Sequence, residues 1–268
     1  MKAISAIFLT LNEEGFLPGC LQSLSWTDEI VVVDAGSTDR TLEIAKTKGA
    51  KIIRTPWQGF PKQRDVGAKE AKGEWIFYVD ADERVSKELR EEIQALLKQK
   101  ESLYRSYRIP HKNMILGRWL RYGGWYPDDQ HRLIEKQAFK GWAGELHEHP
   151  NVEGSVGTLK GELLHFTHRG ILWMLEKTIR YTQLEAELRL KEEHPMVKIR
   201  HLLTAPFREL WFRGVKESGW RDGIRGWIEI LYQAFNQFLI MVWLWEMQQE
   251  KTMKKTYQDL DREISDEL

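Results

Sequence analysis

The run Ile30-Val31-Val32-Val33 is four consecutive β-branched apolar residues, and such a run suits a strand that is covered on both faces. A strand covered on both faces needs helices on each side of its sheet. The neighbouring sequence supplies them. Phe16, Leu17, Cys20, Leu21 and Leu24 recur at helical spacing over residues 12–24. Further helical patterns follow at 38–48, 61–72 and 86–99, the last a charged helix capped by Ser86. Strand patterns alternate with them at 3–10, 29–34, 50–55 and 75–79. Alternation of this kind predicts a largely parallel sheet with right-handed crossovers, an α/β architecture.

Beyond residue 103 the pattern changes. Short strand-like pieces at 104–110, 131–135 and 159–166 are separated by Gly- and Trp-rich loops, and from 171 onward the chain reads as helices. Breaks in the helical part are expected near His194-Pro195, Ala205-Pro206 and Gly219. The expected division is therefore 1–103, 104–170 and 171–268, with no 20–50-residue repeat and no low-complexity tract. Forty Lys plus Arg balance forty Asp plus Glu, so net charge indicates no nucleic-acid partner. The single cysteine, Cys20, excludes an internal disulfide framework and reads as a small buried apolar residue. Asn12-Glu13-Glu14 interrupts the first apolar stretch before a signal-peptide core could form, so a cytoplasmic location is expected.

In an open parallel sheet, ligands bind beyond the carboxyl ends of the strands. Three polar clusters fall at such ends: Thr10 to Glu14, Asp34 to Asp39, and Asp80-Ala81-Asp82-Glu83. Alone, Asp34 and Asp39 could be helix caps, and Asp-x-Asp occurs by chance in acidic loops. Together and in this order they fit a nucleoside diphosphate. A carboxylate at Asp34 can accept from a base N–H or a ribose hydroxyl. Asp80 and Asp82 lie on one side of an extended stretch and suit a hard divalent ion, Mg²⁺ or Mn²⁺, bridging the two phosphates. Lys62 and Arg64, after Gly59-Phe60-Pro61, are placed to assist.

The runs Ala6 through Glu14, Glu29 through Thr41 and Gly73 through Glu83 resemble the nucleotide-binding half of family-2 glycosyltransferases. Within that family, Trp125-Tyr126-Pro127-Asp128 followed by Arg132-Leu133, then His147-Glu148, resemble bacterial lipopolysaccharide-core (heptose-region) glucosyltransferases. The resemblance covers roughly residues 1–180. It implies a GT-A fold, an activated sugar, usually on uridine diphosphate, and inversion at the anomeric carbon. Residue by residue it implies that Thr10, Asn12, Glu13 and Asp34 contact the nucleoside. Asp80 would lie at the ribose and diphosphate, and Asp82 would ligate the metal, with Asp80 as the second candidate ligand. Arg132, His147 and Glu148 are then expected at the acceptor or the diphosphate. Two positions depart from the family pattern: Asp65 stands where many relatives carry Asn, and the base motif, often Glu-Asp, is here Pro127-Asp128 or Asp128-Asp129.

Inverting transfer needs one general base to take the acceptor proton. Asp128 is the expected base, in an aromatic loop that would exclude water and raise its pKa, and Asp129 is the rival. His147-Glu148-His149-Pro150 lacks the His-Glu-x-x-His zinc signature, and His165 and His168 read as structural. A nucleotidyltransferase would want a Gly-rich basic phosphate loop near the N-terminus, which is absent.

Residues 223–247 are the most apolar stretch. Ile228, Leu231, Phe235, Phe238, Val242 and Trp245 recur at helical spacing, against a polar stripe of Arg225, Glu229, Gln233 and Gln237. The uncharged part, 230–245, is short of the roughly 20 residues that span a bilayer. Trp227, Trp243 and Trp245 and the upstream bases Lys198, Arg200, Arg208, Arg213, Lys216, Arg221 and Arg225 favour an in-plane helix on an anionic membrane surface. The alternative is a helix packed on protein. Residues 251–268 read as a solvated charged helix. The expected activity is inverting transfer to a glycolipid acceptor at the inner face of the cell membrane. The other readings are transfer to a polyprenyl phosphate, which needs no base, and a non-catalytic membrane adaptor on a transferase fold.

Overall fold

The computed structural model describes residues 2–100, 102–144 and 148–267. The chain divides into two compact units, Met1–Trp119 with Trp125–Thr167, and Leu120–Gly124 with His168–Leu268.

The first unit is built on a ten-stranded sheet. Its chain order is β1 (Ile4–Thr10), α1 (Leu17–Ser23), β2 (Glu29–Asp34), α2 (Thr41–Thr47), β3 (Lys51–Arg54), α3 (Phe60–Glu70), β4 (Trp75–Tyr78), β5 (Glu83–Val85) and α4 (Lys87–Leu97). Then come β6 (Ser106–Ile115), β7 (Arg118–Trp119), β8 (Asp128–Glu135), β9 (Phe139–Ala143), β10 (His149–Val152), β11 (Val156–Thr158) and β12 (Leu163–Thr167). The sheet runs β3-β2-β1-β4-β8-β6-β12-β5, with β7 and β11 also on β6, while β9 and β10 form a separate ribbon. Pairing is parallel from β3 to β4 and turns antiparallel at β8, so the sheet is mixed, not largely parallel.

Strand alternation sorts the core into two layers. Ile4, Ala6, Phe8 and Val32 pack with α1 and α4 on one face, and Ile7, Val31, Val33, Ile76 and Ile134 pack with Ala68 of α3 on the other. This double coverage is what the Ile30–Val33 run demands. The helices after β1 and β2 start later than their periodicity predicts. Residues 12–14 and 37–41 hydrogen-bond to each other instead, and Asn12 takes a left-handed φ of 57°. Helix α1 then opens with Pro18 in its first turn, where a missing N–H does no harm.

The second unit is helical: α5 (Ile171–Lys191), α6 (Ile199–Glu209), a π-helical turn (Leu210–Lys216), a 3₁₀ turn (Gly219–Asp222), α7 (Gly223–Met247) and α8 (Met253–Glu267). Pro206, expected to break the chain, lies inside α6. The backbone passes into the π turn four residues after it, a place where a ladder interrupted by proline can re-register. Among the described residues no helix is long and apolar enough to cross a membrane.

Helix α7 has the bounds its sequence predicts, but its faces are reversed relative to a helix lying alone in an interface. Glu229 is buried and hydrogen-bonds His168 Nδ1 at 2.7 Å. Tyr232 Oη donates to the Met174 carbonyl at 2.7 Å, and Thr178 Oγ1 donates to Asn236 Oδ1 at 2.9 Å. The polar stripe thus packs toward α5, with Ile240, Met241 and Leu244 forming a small core with Ala186 and Val197. Ile228, Leu231, Phe235, Phe238 and Trp245 are exposed.

Candidate active site

Strands β2, β1 and β4 lie side by side and parallel, so their carboxyl ends open at one edge of the sheet. Two of the three loops there are stitched together. Asn12 Oδ1 accepts from Thr38 N at 2.8 Å, and Asn12 N donates to Ser37 Oγ at 2.9 Å. Glu13 N donates to Thr41 Oγ1 at 2.8 Å, and Glu14 N to Asp39 Oδ2 at 3.1 Å. Asp34 is fully buried and accepts from Gly36 N, Ser37 N, Ser37 Oγ and Thr10 Oγ1. All four contacts are made within the chain, and they organise the loop that follows β2. Gly36, at φ 110°, gives that loop a turn which a side chain would strain.

The third loop carries the acidic triplet. Asp80 Oδ2 accepts from Arg132 Nη2 at 2.7 Å, and the same nitrogen donates to Glu83 Oε1 at 2.6 Å. Arg64 Nη2 lies 3.9 Å from Asp80 Oδ1, and its other arm pairs with Glu148. The Arg64 guanidinium also stacks 4.6 Å from the Trp142 ring. Burial would raise the Asp80 carboxyl, but Arg132 and Arg64 outweigh it and hold it well below its ordinary value. Glu83, fully buried, is lowered in the same way against its own desolvation, chiefly by Arg132.

From Glu83 the contacts continue to the expected base. His111 Nε2 is 3.0 Å from Glu83 Oε1, and His111 Nδ1 is 3.7 Å from Asp128 Oδ2. Burial pushes this imidazole down, yet Glu83 and Asp128 together lift it to about 9, so it is a cation at neutral pH. Asp128 also accepts from Gln130 Nε2 at 2.6 Å and from Asn113 Nδ2 at 3.3 Å. The sequence suggests an aromatic loop that raises the Asp128 pKa. The structure reverses this: desolvation does raise it, but His111, Gln130 and Asn113 hold it well below the carboxylate range.

Asn113 joins Asp128 to a second pair. Its Oδ1 is 2.7 Å from His165 Nδ1, and His165 Nε2 is 3.8 Å from Asp82 Oδ2. Burial pushes His165 down, so the ring is neutral. With Nδ1–H given to Asn113, the lone pair of Nε2 and the carboxylate of Asp82 are neighbours with no proton between them. Two such donors fit a divalent cation. Asp80, by contrast, is occupied by two guanidiniums and is the poorer ligand. Among the described residues no three acidic, cysteine or histidine side chains converge on one point, so phosphate oxygens would have to complete such a site.

Of the other expected residues, Thr10 donates to Asp34 at 3.2 Å, Lys62 is exposed in the first turn of α3, and Asp129 is exposed on β8. His147 lies outside the described residues. The sequence pattern gives His111 and Asn113 no role, because it predicts a strand that stops at residue 110. Strand β6 runs to Ile115, and residues 111 and 113 then share one face at the strand's period of two.

Residues 5–147, more than half of the chain, match the model of the family described as Glycosyl transferase family 2. The chain is 29% identical over 250 residues to the lipopolysaccharide core biosynthesis glycosyltransferase LpsC of Rhizobium meliloti, covering 88% of this chain and 89% of that protein. It is 40% identical over 111 residues to the uncharacterized glycosyltransferase RT0209 of Rickettsia typhi, covering 41% of this chain but 38% of that one. Among solved structures, S. aureus TarS 1–349 aligns with a TM-score of 0.47 at 18% identity, covering 93% of this chain and 92% of that chain. With the family model spanning the three strand-end loops, strand β8 and Arg132, the chain belongs to glycosyl transferase family 2.

Proposed function

We propose that the protein transfers a sugar from a nucleoside diphosphate, in the first instance a UDP-sugar, to a hydroxyl of a lipopolysaccharide-core-like glycolipid, with inversion on a GT-A framework. The observation that carries this reading is the unbroken path Asp80–Arg132–Glu83–His111–Asp128, which joins the acidic triplet at the donor edge to the base-bearing strand β8. The similarity to a protein named for lipopolysaccharide core biosynthesis, over most of both chains, supports the acceptor class.

In this mechanism Asn12, Glu13 and the Asp34 loop receive the nucleoside, and Lys62 and Arg64 flank the diphosphate. The acceptor oxygen attacks the anomeric carbon from the face opposite the diphosphate. Asp128 takes the hydroxyl proton as the new C–O bond forms, and the electron pair of the breaking bond leaves with the nucleoside diphosphate. His111, Asn113 and Gln130 keep Asp128 ionised and aimed for that transfer. Asp82 and His165 would hold a Mg²⁺ or Mn²⁺ ion, which when bound neutralises charge on the diphosphate.

The second unit is proposed to rest on the anionic inner face of the cell membrane. The support is an inside-out helix: α7 turns Glu229 inward and leaves Leu231, Phe235 and Phe238 exposed. Ile199, Leu203, Phe207, Trp211 and Val215 add an exposed apolar row at a spacing of four, beside the exposed bases Lys198, Arg200, Arg208 and Lys216. Contiguous exposed apolar surface edged by bases suits anionic lipid.

A thermal-shift panel of nucleotide sugars with and without Mn²⁺ tests the donor half. Stabilisation by one donor, dependent on metal and lost in Asp82→Ala, is expected. A panel in which no nucleotide sugar raises Tm would overturn the reading.

A further inference from the structure

Four loops close the carboxyl edge of the parallel strands, and a nucleobase laid there gains affinity from a flat aromatic face. The aromatic of the β1–α1 loop is Phe16, which is already packed against the Phe166 ring at 6.2 Å. Residues 35–40 after β2 and 79–82 after β4 include no aromatic side chain. The fourth loop, 55–59 after β3, carries Trp57, and this ring is 42% exposed. Among the described residues of these four loops it is the one exposed aromatic.

An exposed tryptophan by itself is ordinary. This one is held still. Its ring meets the Phe60 ring edge-on, at 4.7 Å and 89°. Gln63 Nε2 donates to the Pro56 carbonyl at 2.9 Å, and Gln58 Nε2 donates to Thr55 Oγ1 at 3.3 Å. Gly59, at φ 93°, makes the turn that brings Phe60 back to Trp57. The loop is tied down on both sides of Trp57 and still leaves a large rigid ring facing water, which suits a contact with a ligand.

Its place along the edge suits a base. Thr55 N donates to the Asp34 carbonyl at 3.0 Å, so the loop starts against the strand end given above to the nucleoside. Phe60 lies 5.9 Å from Arg64 Cζ, and Arg64 Nη2 lies 3.9 Å from Asp80, which ties the same ring pair to the diphosphate side. The strands run β3, β2, β1, β4, so Trp57 and the acidic triplet stand at opposite ends of the edge. Three strand spacings separate those ends, roughly 14 Å, the scale of an extended nucleoside diphosphate. We propose that Trp57 is the platform on which the nucleobase of the sugar donor stacks, with Phe60 fixing its ring. The proposal rests on the nucleotide-sugar reading above and adds to it the residue that grips the base. Stacking on an aromatic ring is tolerant of base identity, so Trp57 supplies affinity and leaves the choice of base to the polar loops.

The test is equilibrium titration of the full chain with UDP in Mg²⁺, for wild type, Trp57→Ala, Trp57→Leu and Trp57→Phe. Trp57→Ala should weaken UDP about ten- to hundredfold, the loss of one base–aromatic stack. Its Tm should stay near that of wild type, because the ring is exposed. Trp57→Phe should recover most of the loss, whereas Trp57→Leu, apolar but without a ring face, should recover little. UDP should also quench wild-type tryptophan fluorescence, by an amount that shrinks in Trp57→Phe although UDP still binds. UDP affinity that ignores Trp57→Ala, a Leu variant that binds as tightly as the Phe variant, or a quench undiminished in Trp57→Phe would each overturn the platform. A wild-type chain that binds no UDP removes the UDP-sugar reading instead, and that arm does not involve Trp57.

Discussion

Arg132 donates to Asp80 at 2.7 Å, and this bond fastens strand β8 to the loop that follows β4. The same nitrogen reaches Glu83, so one buried guanidinium compensates two acids in the segment that presents Asp82. Arg132→Gln would leave Glu83 buried with His111 as its remaining counter-charge. Breaking a buried pair by removing one partner costs about 3–5 kcal/mol, because the surviving charge is stranded. Urea denaturation should register a loss of that order. The double variant Arg132→Gln, Glu83→Gln should recover a good part of it, since the stranded charge is then gone. If the double variant is as unstable as the single one, the guanidinium matters for its packing and not for its charge.

The same network sets a pH optimum for stability. Asp80, Glu83 and Asp128 are all lowered from their ordinary values, so each stabilises the fold above its unfolded pKa and gives that up as pH falls. His111 behaves oppositely. Raised from 6.5 to about 9, it stabilises fully below 6.5, and its contribution is lost as pH rises through 9. Below 6.5 the lowered His131 and His165 also cost stability, because the unfolded chain takes up their protons first. Urea midpoints should therefore peak near pH 6.5 and decline on both sides. His111→Gln should flatten the alkaline decline specifically. An alkaline limb that is unchanged in that variant would assign it to another group.

Asp128 and Asp129 are adjacent in sequence but differ in surroundings. Asp128 is gripped by Asn113 and Gln130 beside a cationic imidazole, whereas Asp129 is exposed on the strand. Only Asp128 is preorganised, so Asp128→Asn should lower kcat by about 10²–10⁴-fold, the usual contribution of a general base. UDP affinity should stay near that of wild type. Asp129→Asn should retain most turnover. The reverse pattern would move the base by one residue, and an active Asp128→Asn enzyme would point to an acceptor that is already anionic.

Much of this frame is legible in the amino-acid sequence. The Ile30–Val33 run demands cover on both faces, and Val31 and Val33 do pack on one layer while Val32 packs on the other. The three acidic strand ends are equally visible, because Asp and Asn after an apolar run stand out locally. The partners of those acids are not. Arg132 lies 52 residues from Asp80, and His165 lies 83 from Asp82. Pairing across such separations depends on β4, β8, β6 and β12 taking that order in the sheet, and no local period encodes it. Asp128 shows the consequence. Its loop composition argues for a raised pKa, and long-range partners reverse the sign. Helix α7 shows the same limit, since its apolar stripe is evident but the side it faces depends on α5.

That orientation makes the membrane proposal testable with little risk to folding. Leu231 is 59% exposed and Phe235 45% exposed, so Leu231→Asp and Phe235→Asp remove apolar surface without opening a core. Burying such a side chain in lipid is worth about 1.5–3 kcal/mol, so each substitution should reduce partitioning to vesicles by at least about tenfold. The electrostatic part should fall separately. Lys198→Gln with Arg200→Gln should weaken binding to vesicles containing phosphatidylglycerol, as added salt does, while binding to neutral vesicles changes little. Gly226→Ala provides a contrast, because a Cβ there would collide with the backbone of Gly219 inside the helical unit and should lower Tm. Co-sedimentation with vesicles separates the cases. Aspartate variants that keep wild-type Tm and stay in the supernatant would support lipid docking. A wild-type chain that remains soluble with and without salt would show that the exposed faces of α6 and α7 are not a lipid-docking surface.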